Sequence, residues 1–225
     1  DGKTMRVGME AAYAPYNWQT AESTDYTIPI ENVDGAYADG YDVQLAKTVA
    51  DALGMEPVAV KMSFTGLIDA LNNGQIDIIM AGMSATDERK QAVDFSEPYF
   101  VGGFGLLVKS GSPYASATSL SDFSGAVVLG QKDTLLDTVI DDIPGVNHHT
   151  PVDSVPSQRS QLNQGTCDAI TFNTENTKGF LRANPGLVAV QLAEGRGFQE
   201  TVPCNAGIKK GQESVLAKIN DAIAT

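Results

Sequence analysis

The sequence has 225 residues, 42% apolar and 19% charged, a composition typical of a globular protein with one large domain or two small ones. The formal net charge of −13 is spread along the chain and argues against nucleic-acid binding, because that binding depends on clustered Lys and Arg. No apolar run approaches the ~20 residues of a membrane helix, and the first residues lack a signal-peptide core, so we expect any export signal or anchor to lie outside this chain.

Strand and helix patterns alternate through the first hundred residues and predict one compact βαβαβ unit. Short apolar segments indicate strands, and apolar residues at helical spacing indicate helices. These patterns place strands at 5–9, 57–62 and 76–80, with helices at 42–53 and from 65. The strand at 76–80 (IDIIM) is nearly all apolar, as expected of a parallel strand covered by helices on both faces.

A second set of elements follows. It comprises predicted strands at 104–108, 126–130, 168–172, 187–191 and 206–209, and predicted helices at 135–140, 154–163, 174–183 and 213–223. Two α/β units of similar size predict two lobes with a ligand cleft between them. We expect lobe 1 to comprise 1–101 with 195–225 and lobe 2 to comprise 104–192, with hinges near 101–104, at Gly102 and Gly103, and near 192–196.

The two cysteines, Cys167 and Cys204, and the adjacent histidines, His148 and His149, lie far apart in the sequence and form no CxxC or similar motif. A zinc site is therefore not expected, and neither is another metal or cofactor. One disulfide and two separate thiols are both open alternatives for the cysteines.

The most informative segment runs from the end of a buried strand into a helix start, at residues 79–89 (IMAGMSATDER). Thr86 followed by two acidic residues favours a helix N-terminus. Residues 81–84 would then expose main-chain amides at the carboxyl end of the strand, and Arg89 can hold a carboxylate with two parallel hydrogen bonds. The alternative is that Arg89 is a surface residue paired with Glu88 or Asp94.

This segment resembles the signature of the polar-amino-acid solute-binding proteins. Three further stretches match the same family in order, at 10–16 (EAAYAPY), 40–46 (GYDVQLA) and 93–99 (VDFSEPY), and the similarity spans essentially the whole chain. The resemblance implies an α/β, two-lobe periplasmic-binding-protein (type II) fold, in which each lobe is a βαβ-type sheet flanked by helices. It also implies closure around one ligand and delivery to an ATP-driven permease.

Carried over residue by residue, the resemblance assigns the zwitterionic part of an amino acid to the 79–89 segment. Arg89 should bind the α-carboxylate with the amide of Ser84. The carbonyl of Gly82 and the Ser84 hydroxyl should receive the α-ammonium, and Met83 is assigned to the site with them.

The resemblance also assigns the ligand side chain. Tyr13 and Phe64 match aromatic positions that sandwich it, where a flat ring gives large contact area at low entropy cost. Core packing is the alternative for each ring. Glu10 matches an acidic position that can pair with a cationic side chain, which favours Arg, Lys or His.

Two positions in the second lobe depart from the family pattern. Thr134, which should cap a helix and donate to the ligand carboxylate, follows Asp133 where relatives have Gly. Asn173 stands where relatives place Asp or Glu for the ammonium, and an amide supplies no countercharge. Either Asp133 or Glu175 supplies that charge, or the ligand is not a simple α-amino acid.

The sequence thus predicts an extracytoplasmic binding protein, in the periplasm or as a lipid-anchored cell-surface protein, that captures an amino acid for an ABC importer. We expect a monomer. A ligand-sensing domain of a receptor or kinase is the alternative function. A cleft-carboxylate enzyme such as a dehydratase, with Glu10 as acid or base, is less favoured, because no Ser-His-Asp or Cys-His set is present.

Overall fold

The computed structural model describes residues 2–225. Its strands are β1 (Thr4–Met9), β2 (Ala12–Tyr13), β3 (Asn17–Thr20), β4 (Ile28–Pro29), β5 (Tyr37–Asp39), β6 (Glu56–Lys61), β7 (Ile78–Ile79), β8 (Asp94–Gly102), β9 (Phe104–Lys109), β10 (Val127–Leu129), β11 (Asn147–His148), β12 (Ala169–Asn173), β13 (Leu187–Ala189) and β14 (Val202–Ile208). Its α-helices are α1 (Tyr41–Leu53), α2 (Leu67–Asn72), α3 (Asp87–Lys90), α4 (Leu135–Thr138), α5 (Val155–Gln164), α6 (Thr174–Ala183) and α7 (Glu213–Ala224).

The chain divides by its contacts into two compact units. Unit 1 comprises the residues up to Val101 together with Pro203–Thr225, and unit 2 comprises Gly102–Val202. Because the chain leaves unit 1 once and returns to it once, unit 1 is discontinuous in sequence and unit 2 is a single insertion.

Unit 1 is built on a five-stranded sheet with the order β6-β1-β7-β14-β8. β1 runs parallel to β6 and β7, whereas β14 is antiparallel to β7. The sheet and its helices bury one continuous apolar core, which includes Val7, Val43 and Ile79 at 0% exposure. The carboxyl ends of β1 and β7 therefore lie side by side, and the candidate site is built where those strands end.

A second sheet in unit 1 has the order β2-β3-β5-β4 and is antiparallel throughout. Its four strands all lie within the segment from 12 to 39. Its strands are two to four residues long, with polar or exposed residues between them, so the hydrophobic pattern that indicates a strand is too short to read.

Unit 2 repeats the α/β design with the sheet order β11-β10-β12-β9-β13. β10 is parallel to β11 and β12, and β9 is antiparallel to β12 and β13. Apolar clusters lie on the sheet, one centred on Phe123 and Ile140 and another on Ile170 and Leu162.

The predicted βαβαβ unit is confirmed as β1-α1-β6-α2-β7, with boundaries that differ by one or two residues in most elements. β8 is the clear omission. It contains Pro98, which cannot donate to a ladder hydrogen bond, and it lies at the edge of its sheet, where proline is tolerated. The predicted helix at 135–140 forms only one α-helical turn and continues as a 3-10 turn over Val139–Asp142.

The residues through Val202 group with unit 2 by their contacts, and the hinge near 192–196 stays a prediction. Phe198 packs against the buried Phe104, and the Leu120 amide donates to the Arg196 carbonyl at 3.0 Å. These contacts hold the 195–202 segment to unit 2. The hinge role of Gly102 and Gly103 stays a prediction.

Cys167 and Cys204 are both buried, and no disulfide joins cysteines within residues 2–225. The alternative of two separate thiols is therefore the one that this structure contains.

Over the same range, none of the helices has both the length and the apolar content that crossing a membrane requires.

Candidate functional site

The site in unit 1 is organised by the loop of residues 81–84, which joins β7 to the start of α3. Thr86 caps α3, its side-chain oxygen accepting the Arg89 amide at 3.2 Å. Gly82 has a φ of 65°, and a Cβ there would lie 2.9 Å from Tyr13. The loop is thus packed tightly against an aromatic ring, and the predicted helix start at Thr86 is confirmed.

Arg89 points back to this loop. Its Nη1 donates to the Ser84 carbonyl at 3.0 Å, and its guanidinium carbon lies 5.2 Å from the centre of the Phe64 ring. Within residues 2–225 it makes no ion pair with Glu88 or Asp94, the alternative considered above. A guanidinium has five N–H donors, so this arrangement uses one and leaves others to bind an anion.

Ser84 has its hydroxyl fixed by β14. The Oγ donates to the Pro203 carbonyl at 2.6 Å, which commits the hydroxyl proton. The lone pairs of that oxygen remain able to accept a hydrogen bond. In this geometry the hydroxyl suits an ammonium and cannot at the same time donate to a carboxylate.

Glu10 and Phe64 are connected through the main chain. The Phe64 amide donates to Glu10 Oε1 at 3.2 Å at the start of the short 3-10 turn Phe64–Gly66. Because a carboxylate has two oxygens, the contact leaves Oε2 for another donor. Phe64 is half-buried and packs against the core of unit 1, and its ring also faces the Arg89 guanidinium. The same side chain therefore contributes both to the core and to the candidate site.

Tyr13 and Met83, both assigned to the site by resemblance, have opposite environments. Tyr13 is 44% exposed, with its ring centre 4.9 Å from that of Tyr16. Met83 is 1% exposed and its side chain belongs to the apolar core, while its carbonyl accepts the Asn205 amide at 2.8 Å. Met83 therefore offers little surface of its own, and its contact with a ligand stays a prediction.

Thr134 in unit 2 caps α4 as predicted, accepting the Leu136 amide at 3.2 Å. Its hydroxyl also donates to the Gln131 carbonyl at 2.9 Å. The predicted donation from this hydroxyl to a ligand would have to replace that bond. Asp133, before it, has a φ of 61°, a backbone conformation that the family's glycine would adopt more easily.

Asn173 ends β12 and precedes α6, and its side chain makes no capping hydrogen bond. Glu175, one of the two alternative sources of negative charge, packs on the chain at Gly102, where a Cβ would lie 2.8 Å from Glu175 Oε1. A hydroxyl bond from Thr171 to the Leu136 carbonyl, 2.5 Å, ties β12 to α4. Thr134 at the start of α4 and Asn173 at the end of β12 thus belong to elements that are joined to each other.

Comparison with known proteins identifies the family. Residues 5–225 match the family described as bacterial extracellular solute-binding proteins, family 3. The chain belongs to this family.

Relatives of this family-3 protein have several specificities. It is 30% identical over 233 residues to the L-arginine-binding protein of Pseudomonas aeruginosa, covering 98% of this chain and 82% of the relative. It is 32% identical over 197 residues to the ABC transporter glutamine-binding protein of Bacillus subtilis, covering 86% and 70%. The L-cystine solute receptor of Neisseria gonorrhoeae, at 24% identity, aligns with a TM-score of 0.75 over 99% of this chain and 86% of that one.

These matches confirm the predicted family and the α/β, two-lobe periplasmic-binding-protein (type II) fold. They also confirm a solute-binding role, since the relatives are amino-acid-binding proteins. The family description names extracellular solute-binding proteins.

Unit 2 of this family-3 protein contains a histidine held between two carboxylates. His148 lies 2.6 Å from Asp137 and 2.7 Å from Asp141 through its two ring nitrogens. Partial burial lowers the pKa of His148, but hydrogen bonds and charge attraction from Asp137 and Asp141 outweigh it and raise the pKa above 6.5. Since Asp137 belongs to α4, protonated His148 ties that helix to β11.

We expect His148→Gln to destabilise the protein at low pH and to have little effect at high pH. The folded-state pKa is raised, so the stabilisation is complete below the unfolded pKa and is lost as the pH rises through the folded value. For a partly exposed pair it amounts to about 1 kcal/mol or less. Urea denaturation at about pH 5 and about pH 9 measures it. His149→Gln is the matched control, and an equal pH dependence in both variants would contradict the assignment.

Residues outside the sequence prediction also support the site of this family-3 protein. Asp42 lies in the matched stretch 40–46, but no role was assigned to it. Its side chain is fully buried and accepts the Gly82 amide at 3.2 Å. A buried acidic residue on an otherwise apolar helix face is the sequence signal that could have identified it, since such residues are rarely buried without partners.

Proposed function

We propose that this chain captures a free amino acid with a polar or cationic side chain outside the cytoplasm and passes it unchanged to an ABC importer. The family, and relatives that bind arginine and glutamine, support the ligand class and the transporter as partner. We expect the protein to act as a monomer, in the periplasm or attached to the cell surface by a lipid. Binding without turnover fits a family of solute-binding proteins.

The observation that carries this proposal is the position of Arg89, which reaches back from α3 to the loop of residues 81–84 after β7. The Ser84 carbonyl and the Phe64 ring hold its guanidinium, while most of its donors stay uncommitted. A carboxylate that accepts two parallel N–H groups gains a strong, directional contact. A guanidinium fixed before binding also loses little conformational entropy when the ligand arrives.

The neighbouring groups suit the rest of an amino acid. The Ser84 hydroxyl donates its hydrogen bond to the Pro203 carbonyl, and its oxygen can accept one from an ammonium. The exposed Tyr13 ring offers a flat surface for a side chain, and Glu10 Oε2 offers negative charge to a cationic one. These features favour L-arginine, L-lysine or L-histidine over acidic amino acids.

A thermal-shift screen tests the proposal. The twenty amino acids, with L-cystine, are added at about 1 mM, and we expect at least one cationic or polar member to raise the melting temperature by roughly 5–10 °C, as binding to the native state alone does. Mass analysis of the mixture should recover the ligand unchanged. If no amino acid stabilises the protein, or if the ligand is converted, the proposed function is wrong.

Asn173→Asp should increase affinity for the ligand found in that screen. The resemblance predicts that this residue contacts the α-ammonium, and a carboxylate there would supply the missing countercharge. We expect the Kd from calorimetry to fall up to about tenfold.

The matched control is Asn163→Asp, which adds the same charge to unit 2 at an exposed position on α5. It should leave the Kd within about twofold. An unchanged Kd in Asn173→Asp would remove this residue from the ammonium site and would favour Asp133 or Glu175 as the source of charge.

A further inference from the structure

A buried polar cluster lies directly behind the 81–84 loop in unit 1. It consists of Asp42 at the start of α1, Asn17 on β3, Tyr99 on β8 and the Gly82 amide, and is called the Asp42 cluster below. Asp42 and Asn17 are both 0% exposed. Buried carboxyl groups are rare unless several donors satisfy them, so the surroundings of Asp42 call for a physical explanation.

Three different parts of unit 1 donate to the Asp42 carboxylate. Asn17 Nδ2 donates to Oδ2 at 2.8 Å, and the Gly82 amide donates to Oδ1 at 3.2 Å. The Tyr99 hydroxyl also donates to Oδ1. The carboxylate thus connects the second sheet, the edge strand β8 and the candidate ligand loop.

The titratable groups facing one another here are Asp42, Tyr99 and the Cys204 thiol, which lies close to Tyr99 from β14. Burial raises the pKa of Asp42 to about 6, although hydrogen bonds from Tyr99, Asn17 and Gly82 lower it. Burial and the neighbouring carboxylate raise the pKa of Tyr99 above its usual value of 10. At neutral pH the cluster therefore holds a carboxylate and a neutral phenol.

The Gly82 peptide has little freedom to move away from this cluster. One side faces Tyr13 and Tyr16, which would lie 2.9 and 3.2 Å from an added Cβ. On the other side the amide is bound to Asp42. Because a peptide group is planar, this amide fixes the direction of the Ala81 carbonyl in the same peptide, and it anchors the backbone from which the Gly82 carbonyl projects.

We propose that Asp42 is a positioning residue for the ligand site, whose carboxylate, held by Tyr99 and Asn17, fixes the Gly82 peptide so that the 81–84 loop keeps its acceptors toward the ligand ammonium. This inference rests on the proposed function. It adds the requirement that Asp42 be ionised. Ligand affinity should therefore depend on pH through a residue that does not touch the ligand.

Asp42→Asn is the informative variant because it keeps the shape and removes the charge. Asn17 Oδ1 is buried and has no hydrogen-bond partner within the described residues. A flip of the Asn17 amide would let this oxygen accept the new amide N–H, so the variant should fold. Asp51→Asn, the same charge change at an exposed position on α1, is the matched control.

The first measurement needs no ligand. In the free wild-type protein, the NMR shifts of the Gly82 amide should titrate with a midpoint near 6, and they should do so in Asp51→Asn as well. In Asp42→Asn this titration should disappear. A Gly82 amide that does not titrate in the wild type overturns the inference, even if amino acids bind.

The second measurement is calorimetry with L-arginine, L-histidine, L-glutamine and L-cystine at about pH 7.5 and about pH 5. At the higher pH, Asp42→Asn should raise the Kd of the bound amino acid roughly tenfold, the effect of weakening one charge-assisted contact, with Asp51→Asn unchanged. Between the two pH values the wild-type Kd should rise further than the Kd of Asp42→Asn, because only the wild type loses the Asp42 charge over this range.

The outcomes separate the two claims. Binding that Asp42→Asn leaves unchanged at both pH values supports the proposed function and overturns the positioning role. If Gly82 titrates but the wild type binds no amino acid, the proposed function fails, and the role of Asp42 in ligand binding fails with it. Titration together with the affinity loss supports both.

Discussion

Arg89→Ala is expected to remove most of the thermal stabilisation that an amino acid gives to this protein. Truncating one partner of a desolvated, hydrogen-bonded charge pair costs about 3–4 kcal/mol, which is a rise in Kd of roughly 100- to 1,000-fold. At 1 mM ligand the stabilisation of a micromolar binder would then fall from about 4 kcal/mol to about 0.4–1.4 kcal/mol, so the shift in melting temperature should drop to about a third of the wild-type value or less. Thermal shift and calorimetry with the ligand found in the screen measure both effects.

Two variants separate the paired hydrogen bonds from charge alone. Lys90→Ala removes a positive charge from an exposed residue of the same helix and should keep the stabilisation. Arg89→Lys keeps the charge but cannot present two parallel donors, so an intermediate loss is expected. If Arg89→Ala binds as tightly as the wild type, the guanidinium is not part of the site, and the central claim about this protein fails.

The α/β layering was readable from sequence because long elements have strong periodicity. Helix α1 places Val43, Ala46, Val49 and Ala50 on one buried face, and Gly54 ends it in a left-handed conformation. β1 and β7 lie inside the sheet and are mostly buried, as expected of strands whose two faces are covered. The pattern within each of these elements is enough to predict it, without knowing which other elements it packs against.

The short second sheet and β8 were not readable for the opposite reason. β2 and β4 are two residues long, and a pair of residues has no period. β8 mixes exposed and buried positions and contains a proline. Its pairing as an edge strand depends on β14, about a hundred residues later, and local sequence does not encode such a contact.

The site was partly predictable in the same sense. Residue identity indicated Arg89 and Thr86, and the structure gives both the expected local geometry. Sequence could not indicate that the Ser84 proton is committed to Pro203, or that the Thr134 hydroxyl already donates to Gln131. Both hydrogen bonds depend on carbonyls whose directions are set by the folded chain. They determine whether either hydroxyl is available to donate to a ligand.

Gly40→Ala is expected to cause the largest loss of stability among single substitutions near the site. Gly40 precedes α1 with φ 126° and ψ −178°, a combination that residues with a Cβ rarely adopt. An added Cβ would lie 2.3 Å from the Tyr16 carbonyl oxygen, which accepts the Asp42 amide at 2.8 Å. The clash falls on backbone that cannot rotate away, so we expect a loss of about 3 kcal/mol or more in the free energy of unfolding.

Gly35→Ala separates the steric clash from the cost of a positive φ. Gly35 has φ 70°, and nothing lies within 4 Å of an added Cβ, so only the backbone cost of about 1 kcal/mol applies. Urea denaturation should show a larger loss of stability for Gly40→Ala than for Gly35→Ala. Equal losses would mean that the 15–17 segment moves enough to relieve the clash. Because Tyr16 and Asn17 pack on Gly82 and Asp42, movement of that segment should also weaken ligand binding in Gly40→Ala. The same main-chain contact would then serve both the stability of α1 and the geometry of the ligand loop.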